Sequence, residues 1–532
     1  GGLLPHFVMY TPLWIIIGYL SLLIGLGLFS RRLAKGTSAD FFVVSRSIGP
    51  VLLLMSIFGT TMTGFALVGS TGKAYADGIG VYGLMASWSG LMHSAVFFWV
   101  GIRLWAVGKK YGYMTQCEYF RDRFQSPALS FLLFPILVLL VIPYLLVGVI
   151  AAGKFLHATT AGMFPETFPM SIPLPDGGTA LHPLSGGLPA HWGGLVICLI
   201  VLFYVFFGGL RGAVWANTLQ TMVFMVTGVI AFYLISTKLG GLAAASEAVA
   251  KSDFASSRLA REGKMGQLQF FSYFLVPLSV GMFPHLFQHW LTAKSAKSFR
   301  LTVVAHPIFI MIVWLPCILI GVWAAAYLGP LGEGQSPNAV LGRMVGQLVE
   351  SPVLSGLVAA GVLAAIMSSL DSQFVCLGTM FTKDVVLRIA GRDRFSDGQT
   401  IMLGRGFIVA VVAATYGLAV WLQDSTQVFD LGVWCFSGFA GLFPVVVAAV
   451  FWRRATKLGT IACILVTGAA WLWMFYQDIV LGVAPKGEEY LVLGMMPVAI
   501  LVILSAVTLV AVSLITAPPA KEVVDRFFPS KS

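Results

Sequence analysis

Apolar residues fall along this chain in long blocks and not in alternation. Thirteen stretches, at about 9–29, 51–70, 80–107, 128–156, 191–208, 213–237, 270–291, 302–328, 353–382, 402–422, 431–452, 458–477 and 491–516, are separated by short polar segments. Each is close to or above the ~20 residues a helix needs to cross a bilayer. Inside hydrocarbon a helix satisfies every backbone N–H and C=O within itself, so this pattern predicts an all-α integral membrane protein with about thirteen transmembrane helices. Blocks this long exclude a barrel. The first block is too long for a signal peptide and lacks a small-residue cleavage site, so it is read as a retained helix.

Two blocks are interrupted. The second carries "GTTMTG" (59–64) and the seventh "SVGMFPHLFQ" (279–288), in which Gly281 and Pro284 weaken the helix. Breaks at corresponding places in two runs of five helices, spans 2–6 and 7–11, predict a five-plus-five inverted repeat with broken first and sixth core helices and a binding site at the midplane. The expected division is an extra helix and linker at 1–48, a first repeat at 49–238, an external loop at 239–269, a second repeat at 270–456, and two further helices with a tail at 457–532.

Near the end of "SGLVAAGVLAAIMSSLDS" stand five residues, "SSLDS" (368–372), that are polar except for Leu370. Ala365, Ser368 and Ser369 share the i, i+3, i+4 spacing of one helical face. Hydroxyls in membrane helices often bond their own backbone one turn back. The alternative reading pairs them with the break at Gly59 to Met62, where unwinding releases carbonyls from intrahelical bonding. Neutral oxygens of that kind suit Na+, whereas a divalent ion would demand carboxylates. Asp371 is a functional candidate because it lies at membrane depth. An anchoring role through hydrogen bonds is the favoured reading of it.

Composition bounds the rest. Of 532 residues 58% are hydrophobic and 10% charged, and the net charge of +11 comes from basic stretches such as 31–36, 103–112, 293–300, 383–394 and 452–457. These fall on one side of the predicted spans, which places the N-terminus outside and the C-terminus in the cytoplasm of a cell membrane. The basic excess is orientation information, and a nucleic-acid partner has little support. Six cysteines without a CxxC pair are read as small buried hydrophobes.

Several stretches taken together resemble the sodium:solute symporter family, whose members carry sugars, proline, sialic acid, iodide and monocarboxylates. They are "FFVVSRSIGP" (41–50), "TQCEYFRDRF" (115–124), "GGLRGAVWANTLQ" (208–220), "AAIMSSLDS" (364–372) and "GLFPVVVAAVFWRRATKLG" (441–459), in the family's order. The resemblance implies a Na+ site on the carbonyls of Gly59, Met62 and Ala365 and the hydroxyls of Ser368 and Ser369. It also shows departures. Where members with a second sodium carry aspartate, this chain has Asn217, so one Na+ per cycle is expected and Asn217 is read as a hydrogen-bonding strut. Where sugar carriers place glutamine and glutamate, it has Ala66 and Met85. With Phe65, Trp88, Tyr144, Phe436 and Ser437 these predict an aromatic solute pocket, in which a sugar would leave hydroxyls unpaired at about 1–3 kcal/mol each. His285, beside the second break, is either a packing residue or a gate. His93 is read as structural.

The function these features predict is Na+-coupled import of a small organic solute by alternating access, not enzymatic catalysis. "PYLLVGVIAAG" (143–153), with Gly148 where glutamine is usual, favours a monocarboxylate. A proline-like amino acid is the alternative. A solute sensor would need a separate output subunit, since the last sixteen residues carry no such module. No protein partner is implied.

Overall fold

The computed structural model describes residues 3–32, 36–173, 179–332, 335–391, 394–423, 427–485 and 488–528. Lys35 and Arg392 of the basic stretches lie outside the described residues. Among the described residues, ten helices are long and apolar enough to cross a membrane. Two further helix pairs meet the same test together while bending sharply, Pro50–Thr61 with Phe65–Asp77 by 58° and Gln267–Gly281 with Pro284–Thr292 by 51°. Both fall where the sequence places its breaks. The first helix ends because Met62 takes an extended conformation (φ −89°, ψ 118°). The second restarts at Pro284, which has no N–H to leave unpaired at a helix start.

The span count departs from the expected thirteen. The predicted spans 191–208 and 213–237 form one helical element, Ala190–Lys238, of 49 residues. At ~1.5 Å per residue it would run to about 70 Å, more than twice the ~30 Å hydrocarbon core. Gly209 divides it, with φ +56° and ψ −150°. Only glycine fits there, because a Cβ would lie 2.6 Å from the Phe41 ring. Length and composition alone therefore yield ten to twelve spans.

Pro352–Ala390, which carries the serines, runs through the middle of the molecule, and every residue from Val358 to Met380 is buried. It packs against Ala190–Lys238, Pro127–Thr159 and the first broken helix. The N-terminal helix Tyr10–Arg32 leans on the outside of this group, and Lys457–Val480 packs with Pro497–Ile515 beside Val428–Phe451. The broken helices thus meet the central helix with the accessory helices outside them.

Candidate functional site

Three carbonyls and one hydroxyl meet where the first broken helix crosses the central one. Ser368 Oγ lies 2.6 Å from Gly59 O, 3.4 Å from Met62 O and 2.9 Å from Ala365 O. A hydroxyl has one proton and can donate to one of these carbonyls at a time. Among the described residues the carbonyls of Gly59 and Met62, at the break, receive no backbone N–H, while that of Ala365 belongs to the central helix, and one small monovalent cation satisfies their convergence better than one proton. The donor set is neutral and hard, so it fits Na+. Ser369 is placed differently. Its hydroxyl donates to Ile366 O at 3.1 Å, within its own helix.

Close approach makes the convergence possible. A Cβ on Gly59 would sit 2.7 Å from Thr221 Oγ1 and 3.3 Å from Asn217 O, so glycine lets the break press against Ala190–Lys238. Beside the cage Asp371 is held by Tyr204, whose hydroxyl donates to Oδ2 at 2.9 Å, and by Ser372, which donates to Oδ1 at 2.9 Å. Asn217 Nδ2 donates to Ser372 Oγ at 3.0 Å, and His289 Nε2 lies 2.9 Å from the same oxygen. This geometry matches the anchoring reading of Asp371 and the strut reading of Asn217. Gln288 donates to Phe42 O at 2.7 Å and to Thr379 Oγ1 at 2.8 Å, which ties the second broken helix to the central one.

A narrow cavity of about 30 Å³ lies against both breaks. Phe65, Tyr144 and Phe436 border it, with Phe65 edge-on to Phe436 at 4.8 Å and Tyr144 edge-on to Phe436 at 5.1 Å between ring centres. The other expected pocket residues do not border it. Ala66 and Met85 pack in the core, Trp88 leans on Phe270, Phe271 and Phe274, His285 stacks on Phe283, and Ser437 Oγ is buried without a partner. Local helix geometry explains part of this. Phe65–Gly69 and Gly83–Ser87 are wide π-helical turns, which shift every later side chain around the helix relative to α-helical spacing.

Sequence reasoning missed most of the wall: Thr61, Ser89, His93, Tyr273, Ser279, Phe283 and Trp314 also border the cavity. The one available signal was the i, i+4 spacing of Ser89 and His93 in an otherwise apolar run. Among the described residues no Lys, Arg, Asp or Glu borders the cavity. Phe283, the residue before the helix Pro284–Thr292, borders it, and that helix has no side-chain cap.

The family model described as the sodium:solute symporter family matches residues 41–191 and 167–467. The chain belongs to the sodium:solute symporter family. Among curated relatives, "Sodium/proline symporter 2" of Staphylococcus saprophyticus is 24% identical over 476 residues, covering 87% of this chain and 85% of its own. A "Sodium/proline symporter" of Staphylococcus aureus is 23% identical over 472 residues, covering 85% of each. Two solved structures share the fold. One, a Na+-coupled sialic acid symporter in a substrate-bound outward-open state, superposes with TM-score 0.71 at 17% identity over 96% of this chain and 99% of that one. The other, a transporter of the nucleobase-cation-symport-1 family, has TM-score 0.53 at 13% identity over 92% of this chain and 97% of that one.

As a sodium:solute symporter the chain is a multi-pass membrane carrier that couples a solute to Na+, and it is not an enzyme. The fold is the inverted-repeat architecture with two broken helices that the positions of the breaks predict.

Proposed function

We propose that this symporter imports a small zwitterionic amino acid of the proline type with one Na+ per cycle, and that the ion sits on Gly59, Met62, Ala365 and Ser368, with Ser369 completing the shell when its hydroxyl rotates. The observation that carries the solute assignment is the cavity: aromatic, bordered by neutral hydroxyls and, among the described residues, by no charged side chain, with Phe283, the residue before the uncapped helix Pro284–Thr292, on its wall. A carboxylate is favoured at such a helix start by its free amides and positive dipole end. Ring faces such as those of Phe65, Tyr144 and Phe436 attract an ammonium group. A solute with both groups and a compact apolar body uses each feature. The relatives' names point the same way.

The monocarboxylate reading rests on the resemblance of 143–153, and the named relatives favour the amino acid instead. Gly148, the departure from that motif, is accounted for by packing, since a Cβ there would lie 2.7 Å from the Leu370 side chain. In operation, Na+ bridges the first broken helix and the central helix and so favours one arrangement of the two. The solute bridges both breaks, and each ligand raises the other's affinity by the same factor. The basic stretches support an external N-terminus and a cytoplasmic C-terminus in a cell membrane.

Thermal stability of the purified protein against a panel of amino acids, short monocarboxylates and sugars, each in NaCl and in choline chloride, tests the reading. The expected result is stabilisation by proline or a close analogue in NaCl only. Stabilisation by monocarboxylates and by no amino acid would overturn the solute assignment, and stabilisation indifferent to sodium would overturn the ion site.

A further inference from the structure

His93 is the least explained polar group on the cavity wall. It lies on Trp88–Val96, one turn after Ser89, and both side chains border the cavity. His93 is 8% exposed, and its Nδ1 is buried with no hydrogen-bond partner among the described residues. Burying an imidazole nitrogen unpaired costs free energy that a packing residue of the same size, such as phenylalanine, would avoid. A polar ring held in that state at the edge of a binding cavity is poised for a ligand.

Its surroundings fix its chemistry. His306 meets it edge-on at 5.2 Å between ring centres, and Phe97 lies at 6.1 Å. Thr61 donates its hydroxyl proton to Phe58 O at 2.9 Å, so it accepts from His306 Nε2 at 3.1 Å, which makes His306 the Nε2–H tautomer. No carboxylate borders the cavity to hold a second proton on His93. A neutral imidazole offers one donor and one acceptor. Thr61 immediately precedes Met62, whose carbonyl belongs to the ion cage, so the polar edge Thr61–Ser89–His93 touches the same break that holds the ion.

We propose that His93 determines solute specificity: its neutral ring nitrogen accepts a hydrogen bond from the solute's amine, with Ser89 and Thr61 supplying the neighbouring oxygens, while the carboxylate lies at the start of Pro284–Thr292. This deepens the amino-acid assignment and rests on it. It makes His93 the group that separates an amine-bearing solute from an isosteric one without N–H donors. The reporting pair is L-proline and tetrahydrofuran-2-carboxylate, in which a ring oxygen replaces the amine.

In proteoliposomes with an inward Na+ gradient, the wild type is expected to prefer proline by on the order of a hundredfold or more in kcat/KM, as sites built to bond a substrate N–H do. His93→Phe should reduce that ratio by about tenfold or more, mainly through the KM for proline, and His93→Asn should restore part of it. Stabilisation by NaCl alone should be unchanged in both variants, because His93 is not in the cage. An unchanged ratio in His93→Phe overturns the inference while leaving the amino-acid assignment standing. Uptake of tetrahydrofuran-2-carboxylate in preference to proline by the wild type overturns both.

A second arm does not depend on the solute. In His93→Cys, a small thiosulfonate should label Cys at position 93, read by mass spectrometry, at a rate that Na+ changes. Labelling with that dependence supports a place on the transport cavity even if no panel solute binds. A thiol that stays unreactive with and without Na+ overturns it, since a wall residue must be reached from the cavity.

Discussion

Ser368 and Ser369 carry the same group at adjacent positions, yet their hydroxyls face different neighbours: three carbonyls from two helices for Ser368, one carbonyl of its own helix for Ser369. Removing the first hydroxyl takes away the atom on which the cage converges. Removing the second takes away a ligand that must first give up its bond to Ile366. Ser368→Ala should therefore raise the Na+ concentration for half-maximal thermal stabilisation by about tenfold or more, equal to ~1.4 kcal/mol of ion affinity. Ser369→Ala should raise it by less. The opposite order would show that the ion draws Ser369 in more strongly than its helix bond holds it. The meeting of Ser368 with the carbonyls of Gly59, Met62 and Ala365 was legible in the sequence because it rests on a helix break and an i, i+3 spacing, short-range facts that survive folding unchanged. The pocket was less legible. Ala66 and Met85 were expected from the positions at which sugar carriers hold glutamine and glutamate, and each sits in a π-helical turn. His93 was passed over because a lone histidine in an apolar run looks the same whether it packs or binds.

At the scale of elements, both breaks and most of the helices could be read from hydrophobic blocks, because the bilayer requirement acts on local sequence. What holds the broken helices to the accessory ones could not be read, since it joins residues hundreds of positions apart. Glu489, in the loop before Pro497–Ile515, forms an ion pair with Lys73 Nζ of the first broken helix at 2.6 Å and accepts from Gln269 Nε2 of the second at 2.7 Å. One carboxylate thus ties the second half of the first broken helix and the first half of the second to the accessory pair. Its side chain is 7% exposed and that of Lys73 is 8%. The Lys251–Glu247 pair has the same 2.6 Å distance but side chains 74% and 63% exposed. Screening leaves an exposed pair worth little, whereas a buried charge that loses a partner carries the full cost of desolvation. Glu489→Gln is expected to lower the melting temperature measurably, by the equivalent of about 1.5–3 kcal/mol for a lost charge-assisted bond, with Asp77 still pairing Lys73 at 2.6 Å. Glu247→Gln should leave it within error. Equal effects in the two variants would mean that the Glu489 contact does not hold these elements together.

For the whole molecule the charge of the solute decides what the fold can accomplish. The cavity wall brings no fixed charge of its own, so the charge that crosses with each cycle is that of the ion plus that of the solute. One Na+ moving down a ~100 mV potential releases about 2.3 kcal/mol. A tenfold Na+ gradient adds about 1.4 kcal/mol. A zwitterion carried with one Na+ draws on both, ~3.7 kcal/mol in all, and can be concentrated about 500-fold. A monoanion carried one-to-one moves no net charge and is limited to about tenfold by the same gradient. Proline uptake into proteoliposomes should therefore carry inward current and should rise steeply when a potassium gradient with valinomycin sets the interior negative. With one sodium the Na+ dependence should have a Hill coefficient near one, because Asn217 offers Ser372 an amide where a second ion would want a carboxylate. Current-free, potential-indifferent uptake would mean that an anion crosses with a single ion. Current with a Hill coefficient clearly above one would place a second Na+ in the cycle, and the network of Asp371, Ser372 and Tyr204 would then be the place to look for it.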